Sequence, residues 1–340
     1  MKKYLTLPIF FFFLSCAQVT SLNLKKHQFG RIPTKIIWIQ VAGLSPEHIA
    51  LLKFEKTGVG QVTSFEKSVC MGSMWNYDLY DLRPKSEKGF LSQLTGKKDL
   101  KNQCDDFRHK PVWKYLSSKN YKVGIFESPT YENQTLTKSN SCKGQESFLE
   151  DAIFWKMDTR KTEKLFHANE KNSFKAGNIY HDRSCLNGSC FTSISRNVEA
   201  TYKIFQKNTK NYIYIIRNFA YMNYLKKKRI KQAKEELQEI NSTLSFFQNI
   251  AEKNSDVLVL LTSSDAIDLQ LPKAGKQWAS YEKNVSYVKY NNSNLLSPVY
   301  AFGARAENFC GTFEQSDVMK RIFSGAKQQG LEFSIINPFE

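Results

Sequence analysis

Cysteines, histidines and one run of cations are the residues whose chemistry stands out in this chain of 340 residues. Beyond Cys16, six cysteines remain: Cys70, Cys104, Cys142, Cys185, Cys190 and Cys310. In an oxidising compartment an even set of this kind pairs into disulfides, with a connectivity that sequence leaves open. Cys185 and Cys190 flank Leu-Asn-Gly-Ser, which can turn back on itself, so a local pair is favoured there. The same two thiolates with His181 are the competing metal site, but no fourth ligand has zinc-finger spacing. The five histidines are His27, His48, His109, His167 and His181, and none follows His181. Lys226-Lys227-Lys228-Arg229 has the charge to hold a phosphate. A cation run at a helix start is more often a solvated face, and it opposes the helix dipole. No P-loop and no GxGxxG occurs.

The elements that must position these residues alternate between strand and helix. KIIWIQVAGLSP, residues 35–46, starts with an apolar β-branched run that reads as a strand buried on both faces. It stops at Ala42-Gly43, and Pro46 opens an amphipathic stretch over 46–56. Further helices are expected over 84–94, 111–119, 194–206, 226–253 and 315–324, and strands over 121–126, 211–217, 256–262 and 298–302. Residues 58–82 read as loop, and 128–192, rich in Ser, Asn, Lys and Gly, as a loop-rich insertion or cap holding three of the cysteines. Trp38 belongs to the core. Strands alternating with helices over this length predict an α/β fold in three layers, a mostly parallel sheet with helices on both faces. In such sheets ligands bind at the carboxyl ends of the strands.

The first fifteen residues stand outside this pattern. Lys2-Lys3 precede a short apolar run, Ile9 to Leu14, too short to span a bilayer. Leu14-Ser15-Cys16 resembles a bacterial lipoprotein cleavage box, with Phe13 where Leu is preferred. The resemblance implies a signal peptide over 1–15, cleavage before Cys16, acylation of that cysteine and a tether over 16–34. Ala17-Gln18, with no Asp after the cysteine, implies outer-membrane sorting. The formal charge of +17 favours anionic neighbours: a lipid headgroup, an anionic glycan or an acidic envelope protein. No nucleic-acid-binding motif appears, and nucleic acid is not an expected partner.

Three stretches resemble the alkaline phosphatase and sulfatase superfamily. IIWIQVAGLSP is similar to that family's opening strand, an apolar run followed by Asp-Gly-Leu-x-Pro. FLSQLTG (90–96), followed by PVWKYLSSKNYKVGIF (111–126), resembles its Leu-Thr-Gly turn, helix and next strand. VLVLLTSSD (257–265) resembles the strand ending in Ser-Asp-His-Gly, and VYAFGARAENFCGTFEQSDVMKRIF the closing strand and helix. The resemblance covers most of 35–325 and implies an alkaline-phosphatase-like domain over 35–340.

What the family uses for chemistry is largely missing. Its members hydrolyse phosphate or sulfate esters with one or two metal ions held by carboxylates and imidazoles, and a Ser, Thr or Cys-derived nucleophile. The first ligand Asp is here Ala42, the Asp-His pair is Asp265-Ala266, and a further ligand Asp corresponds to Asn218. Asp265 is the surviving, vestigial metal ligand. Ten residues before Gly96, the spacing of the nucleophile implies Ser86, while the Arg that sulfatases place four residues later is Phe90. Ser86 also fits an ordinary helix start after Pro84. Two functions follow. One is a non-catalytic envelope lipoprotein on a degenerate scaffold, with no cofactor. The other is an ester hydrolase using Ser86 and a single divalent metal at Asp265.

Overall fold

A computed structural model of the chain describes residues 33–53, 62–129, 134–158, 164–170, 173–186, 189–272, 275–284 and 288–323. The expected leader, Cys16 and nearly all of the tether lie outside the described residues.

Three layers form, as the alternating pattern predicts. The central sheet has ten strands. In chain order its members are β1 (Lys35–Ala42), β2 (Cys70–Trp75), β3 (Lys122–Glu127), β4 (Ala152–Lys156), β5 (Leu165–Phe166), β6 (Ile179–Asp182), β9 (Tyr212–Asn218), β10 (Val257–Ser264), β13 (Leu296–Gly303) and β14 (Gly311–Glu314). Two small hairpins stand apart, β7 (Cys185–Leu186) with β8 (Ser189–Cys190), and β11 (Ile267–Gln270) with β12 (Lys289–Ser293). The sheet order is β14-β2-β13-β10-β1-β9-β3-β4-β6-β5, so β1 is flanked by β10 and β9. Only β13 runs against its neighbours in this sheet.

β1 shows why the layers exist. Successive side chains alternate across the sheet, so an all-apolar strand must be covered twice. Ile37, Ile39 and Val41 join one core with α4 (Ile194–Phe205), α5 (Ala220–Lys226) and α6 (Ile230–Lys253). Ile36 and Trp38 face the other, with α2 (Ser86–Thr95), α3 (Val112–Ser117) and α8 (Val318–Phe323). Trp38 is core, as expected, and its Nε1 donates to Thr262 Oγ1 at 2.9 Å. The remaining helices are α1 (Ala50–Lys53), entered through a 3-10 turn at Pro46–Ile49, and α7 (Gly275–Asn284).

Three expectations are corrected. Residues 58–82 are not all loop, because Cys70–Trp75 forms β2 between β13 and β14. Its mixed Cys-Met-Gly-Ser-Met-Trp sequence has no β-branched run to announce a strand. Within 128–192, β4, β5 and β6 extend the main sheet, and all five residues of β4 are buried. The long helix expected over 226–253 starts later, as α6 at Ile230, and the shorter α5 precedes it. α5 ends at Lys226, Lys228 takes a left-handed φ of 55°, and α6 starts at Ile230. The cation run is therefore a helix junction. Lys226 sits in the last turn of α5, where a positive charge is favourable to the dipole rather than opposed by it.

All six candidate cysteines pair: Cys70–Cys310, Cys104–Cys142 and Cys185–Cys190. The last is the expected local pair, carried by the β7–β8 hairpin.

Candidate functional site

The register brings three strand ends to one place. Val41 of β1 lies beside Asn218 of β9, and Ala42 lies beside Ser264 of β10. Asp265 follows at once with φ 55°, and Gly43 turns the chain out of β1 with φ 81°. Ser86 begins α2, which crosses the same edge closely: a Cβ added at Gly89 would lie 1.8 Å from Ser264 Oγ. The candidate site residues thus gather at the carboxyl edge of the sheet, where a parallel α/β fold binds ligands.

Their side chains do not converge. Ser86 is fully buried, and its Oγ lies 3.3 Å from Met222 Sδ and 3.4 Å from Glu87 Oε2. Met222, from α5, also fills the space left by Gly43, where a Cβ would meet Met222 Cβ at 3.0 Å. Met222 and Ala42 belong to one apolar core. Asn218 turns to α6, donating from Nδ2 to Glu236 Oε1 at 2.5 Å and accepting from the Tyr221 N–H at 3.3 Å. Asp265 is ion-paired with Lys226 at 3.0 Å. Ala266 is buried and offers a methyl group.

A metal of the kind the fold's hydrolases use does not fit this donor set. Among Ala42, Ser86, Asn218, Asp265 and Ala266 only Asp265 carries a carboxylate, and it is ion-paired with Lys226. A thioether lies against the serine. Among the described residues, the one group of three His, Cys, Asp or Glu side chains close enough to share an ion is Asp182, Cys185 and Cys190. Its two sulfurs are joined in a disulfide, which removes the thiolates.

The histidines serve other ends. His48 is buried, and its Nδ1 accepts from the Tyr221 hydroxyl at 2.8 Å and the Ser45 N–H at 3.3 Å. Burial lowers its pKa to about 3, so it is neutral. His181 bonds Asp158 through Nδ1 rather than joining Cys185 and Cys190. Burial raises the Asp158 carboxyl, but the His181 hydrogen bond and the charge of Lys156 outweigh it and hold the carboxyl below its usual range. His109 lies 3.8 Å from Asp99, and His167 Nδ1 accepts from the Asn169 N–H.

Sequence reasoning missed a chain of buried polar groups under the cleft. Thr262 Oγ1 donates to Gln93 Oε1 at 2.7 Å, Gln40 Nε2 donates to the same oxygen at 3.2 Å, and Arg217 Nε donates to Gln40 Oε1 at 3.3 Å. Arg217 Nη1 pairs with Glu127, which also accepts from Thr135 Oγ1 at 2.5 Å and the Leu136 N–H at 3.0 Å. Burial pulls the Arg217 pKa down, and Glu127 opposes that shift. Beside Arg217 and Glu87 a cavity of about 20 Å³ remains, room for one water molecule. The available signal was a charged residue closing the apolar strand YIYIIR. Glu236 was also missed. Burial pushes its carboxyl up to about 7, Asn218 lowers it in part, and Glu239 raises it further.

Alkaline phosphatases are among the solved structures with this architecture. The enzyme from the Antarctic bacterium TAB5 superposes with a TM-score of 0.65 at 14% identity, over 87% of this chain and 99% of that one. The Thermus thermophilus alkaline phosphatase gives 0.67 at 11% identity, over 93% and 96%. The chain has the alkaline phosphatase fold. The lipoteichoic acid synthase LtaP from Listeria monocytogenes shares it more loosely, with a TM-score of 0.53 at 10% identity over 87% of this chain and 72% of that one. No family model matches the chain, and no curated protein matches it significantly. Within this fold, Ala42, Ser86, Asn218 and Asp265 share the carboxyl edge of the sheet, with Met222 between Ser86 and Gly43.

Proposed function

We propose that this chain is a lipid-anchored protein of the bacterial envelope, sorted to the outer membrane. It keeps the alkaline phosphatase scaffold without its ester hydrolysis and binds an anionic ligand or protein partner. The observation that carries this reading is Met222. Its sulfur, 3.3 Å from Ser86 Oγ, stands where a hydrolase needs a substrate atom or an activating ion. An unactivated serine against a thioether is a poor nucleophile, and the groups that would stabilise transition-state charge are turned elsewhere. Ala42, Asn218 and Ala266, standing where the family places metal ligands, point the same way. The formal charge of +17 supports an anionic partner, and the Leu-Ser-Cys box supports acylation at Cys16.

The test is a panel of aryl phosphate, bis-aryl phosphate and aryl sulfate esters with added zinc, magnesium, manganese or calcium. No turnover above the Ser86→Ala background is expected. Turnover abolished by Ser86→Ala would overturn the reading in favour of a single-metal hydrolase using Ser86 and Asp265. Anchoring is tested separately by membrane fractionation and mass: Cys16→Ser releases the protein or leaves it unprocessed.

A further inference from the structure

A ridge of exposed apolar side chains lies along the same carboxyl edge. It comprises Trp75, Leu79, Tyr80, Leu82, Leu295 and Leu296. Strand pairing sets Leu296 beside Trp75, and the Asn76 N–H donates to the Leu295 carbonyl at 2.9 Å. β2 is antiparallel to β13, which is antiparallel to β10, so Trp75 and the turn after it stand at the Ala42 end of the sheet.

The turn is built to hold its leucines outward. Asp78 Oδ1 accepts the N–H groups of Tyr80 at 2.7 Å and Asp81 at 2.8 Å. Its Oδ2 pairs with Lys88 at 2.7 Å, both side chains being buried. The Leu79 N–H is tied to the Lys98 carbonyl at 3.0 Å. Leu79 and Leu82 are nevertheless 69% and 75% exposed. A fixed, projecting turn that keeps two leucines and a tyrosine in water marks an interaction surface.

Cations flank the ridge on both sides. Arg83 and Lys85, both exposed, follow Leu82 directly. The Lys101 ammonium lies 5.3 Å over the Tyr80 ring. Of the acids nearby, Asp78 and Asp81 share Lys88, and Glu314 pairs with Lys98. On the other side, the Asn294 N–H donates to the Ala266 carbonyl at 2.6 Å, and the preceding Asp265 holds Lys226, which opens the exposed 226–229 run.

We propose that this edge docks on an anionic lipid bilayer, with Leu79, Tyr80 and Leu82 entering the boundary between headgroups and acyl chains. Arg83, Lys85 and the 226–229 run then meet the headgroup charges. A convex tip that intersperses leucines with cations fits an interface of apolar depth and negative surface, where aromatic and cationic side chains are stable together. The face depends neither on acylation of Cys16 nor on the loss of hydrolysis. An anchor at Cys16 is compatible with it. The chain from there to Pro33 reaches at most about 60 Å, more than the diameter of about 50 Å of a compact domain whose radius of gyration is about 19 Å.

The experiment uses the full chain and vesicles of phosphatidylcholine with or without phosphatidylglycerol, carrying brominated acyl chains that quench nearby tryptophan. Trp38, Trp113 and Trp155 are buried in the core, a Trp278→Phe background removes the fifth tryptophan, and Trp75→Phe within it isolates the signal of Trp75. Quenching by phosphatidylglycerol vesicles is expected, absent in Trp75→Phe, and strongly reduced in Leu79→Ser/Leu82→Ser. Arg83→Glu/Lys85→Glu should weaken vesicle affinity about tenfold or more, as should about 0.5 M salt. The side chains of Trp75, Leu79, Leu82, Arg83 and Lys85 are all exposed, so these changes retain the fold. Equal quenching in wild type and Trp75→Phe overturns the proposal, and so does quenching that ignores the leucine changes. Equal quenching by neutral vesicles overturns the headgroup contact. Protection of Trp75 by envelope protein but not by lipid assigns the face to a protein partner and overturns it too. Failed fractionation with retained quenching defeats the anchor alone. Retained fractionation without quenching defeats the docking alone.

Discussion

Replacing Glu236 by glutamine should stabilise the protein above neutral pH and leave it unchanged in acid. The carboxyl is buried on α6 and bonded by Asn218 at 2.5 Å, and its pKa stands at about 7 against an ordinary 4.5. The fold therefore holds this proton more tightly than the unfolded chain does. Below the unfolded value both states are protonated and there is no cost. Between pH 4.5 and about 7 the unfolded chain ionises while the folded one resists, and stability falls. Above about 7 the loss is complete. The gap between the two values corresponds to about 3 kcal/mol. Glutamine keeps an oxygen to accept from Asn218 and has no charge to bury. Urea unfolding with the disulfides intact, at pH 5 and pH 8, measures both stabilities. The variant should exceed wild type by about 1 kcal/mol or less at the lower pH and by about 3 kcal/mol at the higher one. Parallel stabilities from pH 5 to 8, or a weaker variant at pH 8, would refute the reasoning. Either result would mean that Glu236 is solvated or paired well enough to ionise freely.

Further outcomes follow from the same packing. Met222→Ala should lower stability by about 2–5 kcal/mol through the cavity left between Ser86 and Gly43, measured by denaturation, with no gain in ester turnover. Glu127→Ala strands the Arg217 guanidinium in the core and should cost about 3–5 kcal/mol, whereas a loss below about 1 kcal/mol would show the arginine reaching water. Gly124→Ala sets a methyl carbon 2.9 Å from the Phe205 and Tyr214 rings and should lower stability by about 1–3 kcal/mol in urea unfolding. The Cys70–Cys310 bridge closes a separation of 240 residues and Cys185–Cys190 one of 5. Serine pairs should therefore cost about 5 against about 2 kcal/mol in the chain-entropy account. Equal losses in calorimetry would contradict it.

Periodicity alone determined much of this protein. The all-apolar runs of β1, β9 and β10 demanded cover on both faces, and amphipathic stretches supplied it, so the three-layer parallel sheet was legible without coordinates. The residue types at Ala42 and Ala266 were equally plain, because no packing gives a methyl group a lone pair. Hydrophobic pattern is local, and it sets strand and helix wherever tertiary contacts agree with it. It failed at β2 and β4, short strands stabilised by neighbours far along the chain. It also started α6 four residues early, because the amphipathic pattern does not register the left-handed residue at Lys228. Only the tertiary structure decided what the site residues touch. Nothing near Ser86 in sequence announces Met222, which arrives from 136 positions away to sit on the hydroxyl. Likewise, Asn218 keeps its polar group but spends it on Glu236, and Asp265 keeps its carboxylate but gives it to Lys226. Residue type sets what a side chain is able to do, and long-range packing selects the one partner with which it does it.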